Sequence, residues 1–147
     1  MDKKTQKIFD GVNRAIIKFR GTYSEWSGRN QISYHEMLVL YTIREFGFCT
    51  QKQISDSYLL PKQTIHNVIV SLRQAGILEY DEALGTGREK AFVLADKGSA
   101  YAAPFLRSLD TVEARALELL GEDKLLTLTG LLLDYDRALN QALEEER

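Results

Sequence analysis

The sequence has 147 residues, 44% hydrophobic and 27% charged, with a formal net charge of −2 and a pI of about 5.7. This is the composition of an ordinary globular chain, long enough for one domain with its own core or for a small module on an assembly scaffold. No apolar run suits a bilayer, the N-terminus lacks the apolar stretch of a signal peptide, and the single cysteine excludes an internal disulfide, so no membrane contact and a cytoplasmic setting are expected.

Between Lys3 and Ser27, Ile8, Val12, Ala15, Phe19, Tyr23 and Trp26 recur three and four apart. That spacing predicts one long amphipathic helix, ended by Gly28-Arg29-Asn30. Ser33 with Glu36 three residues on predicts a capping box opening a second helix. Its inward face is Met37, Leu38, Tyr41 and Phe46, and Gly47 ends it. Thr50–Tyr58 reads as a short helix with Thr50 as its cap. Leu59-Leu60-Pro61 reads as a turn, and Pro61–Ala75 as another helix closed by Gly76. A hairpin follows: strand Ile77–Asp81, tip Gly85-Thr86-Gly87, returning strand Lys90–Ala95, with both glycines free to adopt positive φ. Asp96 is placed to cap a long helix reaching about Leu120, in which Pro104 predicts a kink or break near Ala103. Gly121 separates it from a last helix, Glu122–Glu145. There Leu125, Leu128, Leu132, Tyr135, Leu139 and Ala142 form a heptad-like stripe that Leu131 and Leu133 widen.

The order of elements predicts a mostly α fold with a small β-wing. Residues 33–98 form a winged helix-turn-helix, flanked by a dimerisation helix in residues 1–32 and dimerisation helices in residues 99–147. Such a unit lays its second helix in the major groove of double-stranded DNA and its wing beside the phosphates. The terminal helices carry more apolar surface than so small a module covers. A second copy across a two-fold axis would bury it and would also span two half-sites.

Along Pro61–Ala75, Ile65, Val68, Ile69 and Leu72 share the inward face, and Gln63, His66, Asn67 and Val70 the opposite one, with Thr64 beside them. Gln and Asn can each bond an adenine edge, and Thr or Val can touch a thymine methyl. Lys62 can reach phosphate. Gln51, Lys52 and Gln53 open the preceding helix, where free backbone amides favour an anion. In the wing, Arg88 and Lys90 point outward, and Arg88 suits a minor groove. The expected DNA-binding set is therefore Gln51, Lys52, Lys62, Gln63, Thr64, His66, Asn67, Arg88 and Lys90. Against it, Lys52, Lys62, Arg73, Arg88 and Lys90 are matched in number by Asp56, Glu79, Asp81, Glu82 and Glu89. That balance leaves a protein-binding winged helix, independent of DNA, as the competing reading. His35 and His66 fall on different helices and no catalytic motif is present, so no metal, no cofactor and no enzymatic activity are expected.

The pattern TQKQIS…LPKQTIHNVIVSLRQAGILE…GTGREKAFVLADKG resembles the MarR family of bacterial transcription regulators, over nearly the whole chain. Leu72…Gly76-Ile77-Leu78 and Leu94-Ala95-Asp96-Lys97-Gly98 carry the match. The family wing usually has an Asp-x-Arg pair; here Arg88 is present and the aspartate is not, with Glu89 adjacent. The resemblance implies a homodimer on a pseudopalindromic operator, usually a repressor released by a small ligand or by oxidation. It places an effector pocket at Tyr23, Trp26, Met37 and Tyr41, whose aromatic lining suits a planar anion or phenol, though aromatics at helical spacing are also core residues. A thiol-sensing repressor acting through Cys49 is a further alternative. The apolar neighbours Phe46 and Phe48 instead predict a raised pKa and an inert thiol.

Overall fold

Capping chemistry sets the helix starts. In the computed structural model, which describes residues 1–147, Asp2 opens α1 (Lys3–Arg29) by accepting from the Lys4 and Thr5 amides. Ser33 Oγ accepts from Glu36 N at 3.1 Å to open α2 (Tyr34–Phe46), which Gly47 closes at φ 83°. Thr50 caps α3 (Gln51–Tyr58) with a full reciprocal box, Gln53 N bonding Thr50 Oγ1 and Gln53 Oε1 accepting from Thr50 N. After the Leu59–Pro61 turn come α4 (Lys62–Gln74), β2 (Leu78–Thr86), β3 (Glu89–Leu94), α5 (Asp96–Leu120) and α6 (Glu122–Glu145). The mostly helical winged helix-turn-helix expected from the sequence is the fold observed.

Several details differ. Gly28 and Arg29 do not break α1 but form its last turn, with Asn30 as its C-cap. The expected box at the start of α2 is half made. The Glu36 carboxylate turns away and accepts from Tyr101 Oη of α5 at 2.5 Å, a partner 65 residues distant. Phe46 is exposed, not inward. Pro61 stands at the N-cap of α4, outside its first turn. A two-residue strand, β1 (Cys49–Thr50), joins the hairpin to give an antiparallel sheet in the order β1-β3-β2. The hairpin turns at Gly87-Arg88, two residues later than expected, and of the two wing glycines only Gly87 has positive φ. The strands pair from Leu78↔Leu94 to Asp81↔Ala91 and again at Thr86↔Glu89, with a bulge between. Asp81 Oδ1 holds that bulge by accepting from the Ala83 and Leu84 amides. Asp96 is the first helical residue of α5 rather than its cap, and α5 runs unbroken through Pro104.

The chain divides into two compact units, Met1–Leu106 and Arg107–Arg147. The core of the first is built from Val39 and Leu40 of α2, Cys49 of β1, Ile54 of α3, Ile65, Ile69 and Leu72 of α4, and Ala91 and Phe92 of β3, all buried. It fixes α3 against α4 and both against the sheet. In the second unit no residue of α6 is buried. No helix of the chain is long and apolar enough to cross a membrane.

Candidate nucleic-acid interface

The inward residues of α4 are buried as their spacing predicts, with Val68 at the margin, and this turns the polar side outward. That outer side has two edges. One faces the wing. Lys62, His66, Val70 and Arg73 of α4, Gln51 and Lys52 of α3, and Arg88, Glu89 and Lys90 of the wing line a groove of about 310 Å³ floored by Ile69 and Phe92. Five cations, Lys52, Lys62, Arg73, Arg88 and Lys90, line it with one carboxylate, Glu89, while Asp56 pairs with Lys52. The module is neutral in sum, yet its charge is sorted. Glu79 and Glu82 are exposed on β2 outside this groove, and Asp81 is occupied by the bulge. A concave surface with clustered cations concentrates the potential that a phosphate backbone meets.

The other edge of α4 carries Gln63 and Asn67, both exposed, with Gln63 Nε2 donating to Asn67 Oδ1 at 2.8 Å. Asn67 also borders a smaller hollow of about 220 Å³ with Ser33, Glu36, Val68, Ser71 and Leu72. Of the nine residues expected to meet DNA, six therefore share the cationic groove: Gln51, Lys52, Lys62, His66, Arg88 and Lys90. Gln63 and Asn67 lie on the second edge, and Thr64 is half-buried between.

Several of these side chains are already engaged. Gln51 Nε2 donates to the Lys62 carbonyl at 3.0 Å and so ties the start of α4 to α3. Lys52 pairs with Asp56 at 2.6 Å, which raises the lysine pKa and lowers that of the aspartate. Both groups are solvent-exposed, so the pair adds little stability and can exchange for phosphate. Lys90 Nζ lies 5.8 Å from the Tyr80 ring centre. Arg88 sits in the turn itself and is exposed. Arg73 was not among the expected contacts. Its guanidinium lies 5.5 Å from the Phe92 ring centre, and only its position seven residues after His66 marked it in the sequence.

The residues of the expected effector pocket are divided. Trp26 and Met37 are buried, Tyr41 is half-buried beneath the Arg44 guanidinium at 4.8 Å, and Tyr23 is exposed. Cys49 is fully buried on β1, and burial pushes its thiol up to about 12. A thiol so placed stays protonated through the physiological range and is shielded from oxidants. Cys49 is expected to resist a disulfide-exchange reagent in the native protein at pH 8 and to react at once in denaturant. Rapid native labelling would return the thiol to consideration as a sensor.

Comparison with known proteins gives a consistent likeness. No family model matches the chain, and no curated protein does. Among solved structures, a MarR family regulator from Neisseria meningitidis superposes with TM-score 0.84 and 27% identity, covering 94% of this chain and 97% of its own. MarR of Staphylococcus aureus, solved with salicylate and kanamycin, gives TM-score 0.68 at 15% identity with 95% of each chain covered. BpsR of Bordetella bronchiseptica, a protein whose DNA binding is regulated by 6-hydroxynicotinic acid, gives 0.66 at 16% identity over 88% of this chain and 98% of the other.

Proposed function

We propose that this chain, a DNA-binding winged helix-turn-helix protein whose structural neighbours are MarR family transcription regulators and not enzymes, is a homodimeric repressor of a pseudopalindromic operator. The observation that carries the reading is the groove between α4 and the wing, where five cations gather beside the exposed polar edge of a helix shaped to enter a major groove. In this reading residues 33–98 are the DNA-binding domain and the flanking segments, 1–32 and 99–147, supply the dimer contacts. Lys52, Lys62, Arg73, Arg88 and Lys90 neutralise phosphates, and α4 supplies base contacts. Selection of bound fragments from a random DNA pool tests this directly. A folded protein that selects nothing at low salt leaves the protein-binding reading in its place.

Arg88 separates phosphate neutralisation from base reading. Arg88→Ala is expected to weaken binding across sequences and to flatten the dependence of log K on log salt by about one unit. Affinity measured against salt for wild type and variant checks this. A loss confined to operators with an A·T flank would instead place Arg88 in a narrow minor groove.

Release by a small aromatic acid or phenol completes the proposal. Trp26 is buried in the last stretch of α1, and the adjoining Ser27 hydroxyl is buried without a protein hydrogen-bond partner, a group that a phenol or carboxylate would satisfy. A ligand there can shift the DNA-competent population only by its difference in affinity between conformations. Trp26 fluorescence reports the binding. Aromatic acids that leave both fluorescence and operator affinity unchanged remove this part of the proposal.

A further inference from the structure

A helix with one apolar stripe and a solvated polar face carries its charges opposite the stripe. At one end of α1 and one end of α6 the charges stand on the stripe instead. On α1 the stripe through Ile8, Val12, Ala15 and Phe19 is continued toward its start by Lys4, one turn before Ile8. Lys3 and Lys7 flank it, and the three lysines share one exposed hollow with Ile8. On α6 the stripe through Leu132, Tyr135, Leu139 and Ala142 is continued by Glu146, with Glu144 and Glu145 beside it, all three exposed. Resting on the homodimer reading above, we propose that α1 of one protomer packs antiparallel on α6 of its partner, the lysine start of one against the glutamate end of the other. Charge at these ends then selects a second copy of this chain as the occupant of the apolar faces.

Both clusters stand where their own helices disfavour them. A helix start carries partial positive charge and a helix end partial negative charge. α1 has no acid in its first turn, and Asp2 before it is engaged in capping the Lys4 and Thr5 amides. α6 has no base in its last turn, and Arg147 beyond it reaches Glu144 at 3.2 Å, leaving Glu145 and Glu146 uncompensated by it. The opposite ends differ: Arg29 in the last turn of α1 and Glu122 and Asp123 in the first turn of α6 each suit the local dipole. Two disfavoured clusters of opposite sign relieve each other when they meet, and antiparallel packing is the arrangement that joins a start to an end.

The apolar residues fall in step with that pairing. α1 has 27 residues and α6 has 24, so the helices match in length. Let Lys4 stand level with Glu145 of the partner subunit. At about 1.5 Å per residue, Leu139 lies about 9 Å back from Glu145, between Ile8 and Val12 at about 6 and 12 Å past Lys4. Leu128 lies about 26 Å back, between Phe19 and Tyr23 at about 22 and 28 Å. Each leucine thus enters between two residues of the facing stripe, as packed helices require. Ile8, Phe19, Leu128 and Leu139 are all exposed in the single chain.

Charge reversal tests this. One variant carries Lys3→Glu, Lys4→Glu and Lys7→Glu; a second carries Glu144→Lys, Glu145→Lys and Glu146→Lys; a third carries all six. Each reversal improves the match of a helix to its own dipole, so weaker assembly cannot come from a frayed end. By sedimentation, the first two variants should each self-associate roughly tenfold or more weakly than wild type at low salt, with the gap narrowing as salt screens the ends. An equimolar mixture of the two, one ¹⁵N-labelled for native mass spectrometry, should form heterodimer well beyond the half expected from random exchange, because each mixed contact pairs opposite charges. The six-fold variant should dimerise with itself as the wild type does. Single-end variants that dimerise like wild type, or a mixture that exchanges at random, overturn the proposal while leaving the homodimer intact. Rescue in the six-fold variant without rescue in the mixture places the pairing within one chain and overturns it as well. A wild type that stays monomeric at every concentration overturns both this proposal and the homodimer reading.

Discussion

Gly98→Ala is expected to destabilise the DNA-binding unit severely. A Cβ added at Gly98 would lie 1.9 Å from the Ile77 carbonyl oxygen, 2.9 Å from its carbon and 3.3 Å from its Cα. All three are backbone atoms, so no side chain can swing aside. Ile77 is itself held at both ends: its N–H donates to the Leu72 carbonyl at 2.9 Å, and its carbonyl accepts from Ala95 N at 3.0 Å. Relieving the clash means moving the end of α4, the start of β2 or the first turn of α5, and breaking a buried hydrogen bond in the process. Overpacking costs about 1–3 kcal/mol and an unsatisfied buried backbone group a similar amount, against a total stability of about 5–15 kcal/mol. Thermal melting should fall by about ten degrees or more. Gly28→Ala is the control, since a Cβ there meets nothing within 4 Å and the residue is helical. It should be neutral or stabilising by up to about 1 kcal/mol. A Gly98→Ala protein that melts with the wild type would mean that α5 does not pass this close to Ile77.

That glycine shows what kind of information the sequence carried. The Leu94–Gly98 run supported the resemblance as a pattern, but the pattern did not say why a glycine ends it. The reason is close approach of two backbones from segments 21 residues apart, with no left-handed φ involved. Some local signals behaved well, while others, Gly28 as a helix end and Asp96 as a cap, did not. Ser33, Thr50 and Gly47 placed helix ends because capping depends on residues within one turn. The spacing of Ile65, Ile69 and Leu72 placed the buried face of α4. Signals that depend on tertiary partners were not legible. Glu36 fits a capping box until Tyr101 arrives from α5, and burial together with that carboxylate then pushes the Tyr101 hydroxyl up to about 12. Cys49–Thr50 is too short to show alternation, so β1 exists only because β3 pairs with it. Two wing glycines put the expected tip at Gly85-Thr86-Gly87. Register moves it, with Gly87 at φ 57° in the turn and Gly85 packed in the bulge, where a Cβ would come within 3.0 Å of the Glu89 carbonyl. The cationic groove was half legible. Each cation was visible in the sequence, but that Arg73 stands inside the groove while Glu79 and Glu82 stand outside it depends on how the hairpin packs beside α4, which no local pattern encodes.

Leu132→Asp is expected to convert the protein to a monomer and to remove most of its affinity for a full operator. In the single chain α6 buries nothing, and Leu126, Leu128, Leu131, Leu133, Leu139 and Leu143 are all exposed, with only Leu125, Leu132 and Tyr135 half-covered. On α1, Ile8, Ile17, Phe19 and Tyr23 are likewise exposed. Apolar stripes of this length on two helices exceed what monomeric proteins leave in water, and the proposed second copy covers them. A carboxylate at position 132 would enter that interface without a partner, at a cost of several kcal/mol. Separated protomers lose the link between half-sites, which is worth about 10²- to 10⁴-fold in affinity. The winged unit, which ends at Leu106, keeps its own core, so weak binding to an isolated half-site should survive. That residual binding separates loss of assembly from loss of fold. Gln141→Glu, on the opposite face of α6, should change neither property. Sedimentation velocity and titration of full-site and half-site DNA check both parts. A Leu132→Asp protein that sediments as a monomer yet binds the full palindrome as tightly as wild type would sever assembly from DNA recognition and leave the apolar faces of α1 and α6 to some other partner.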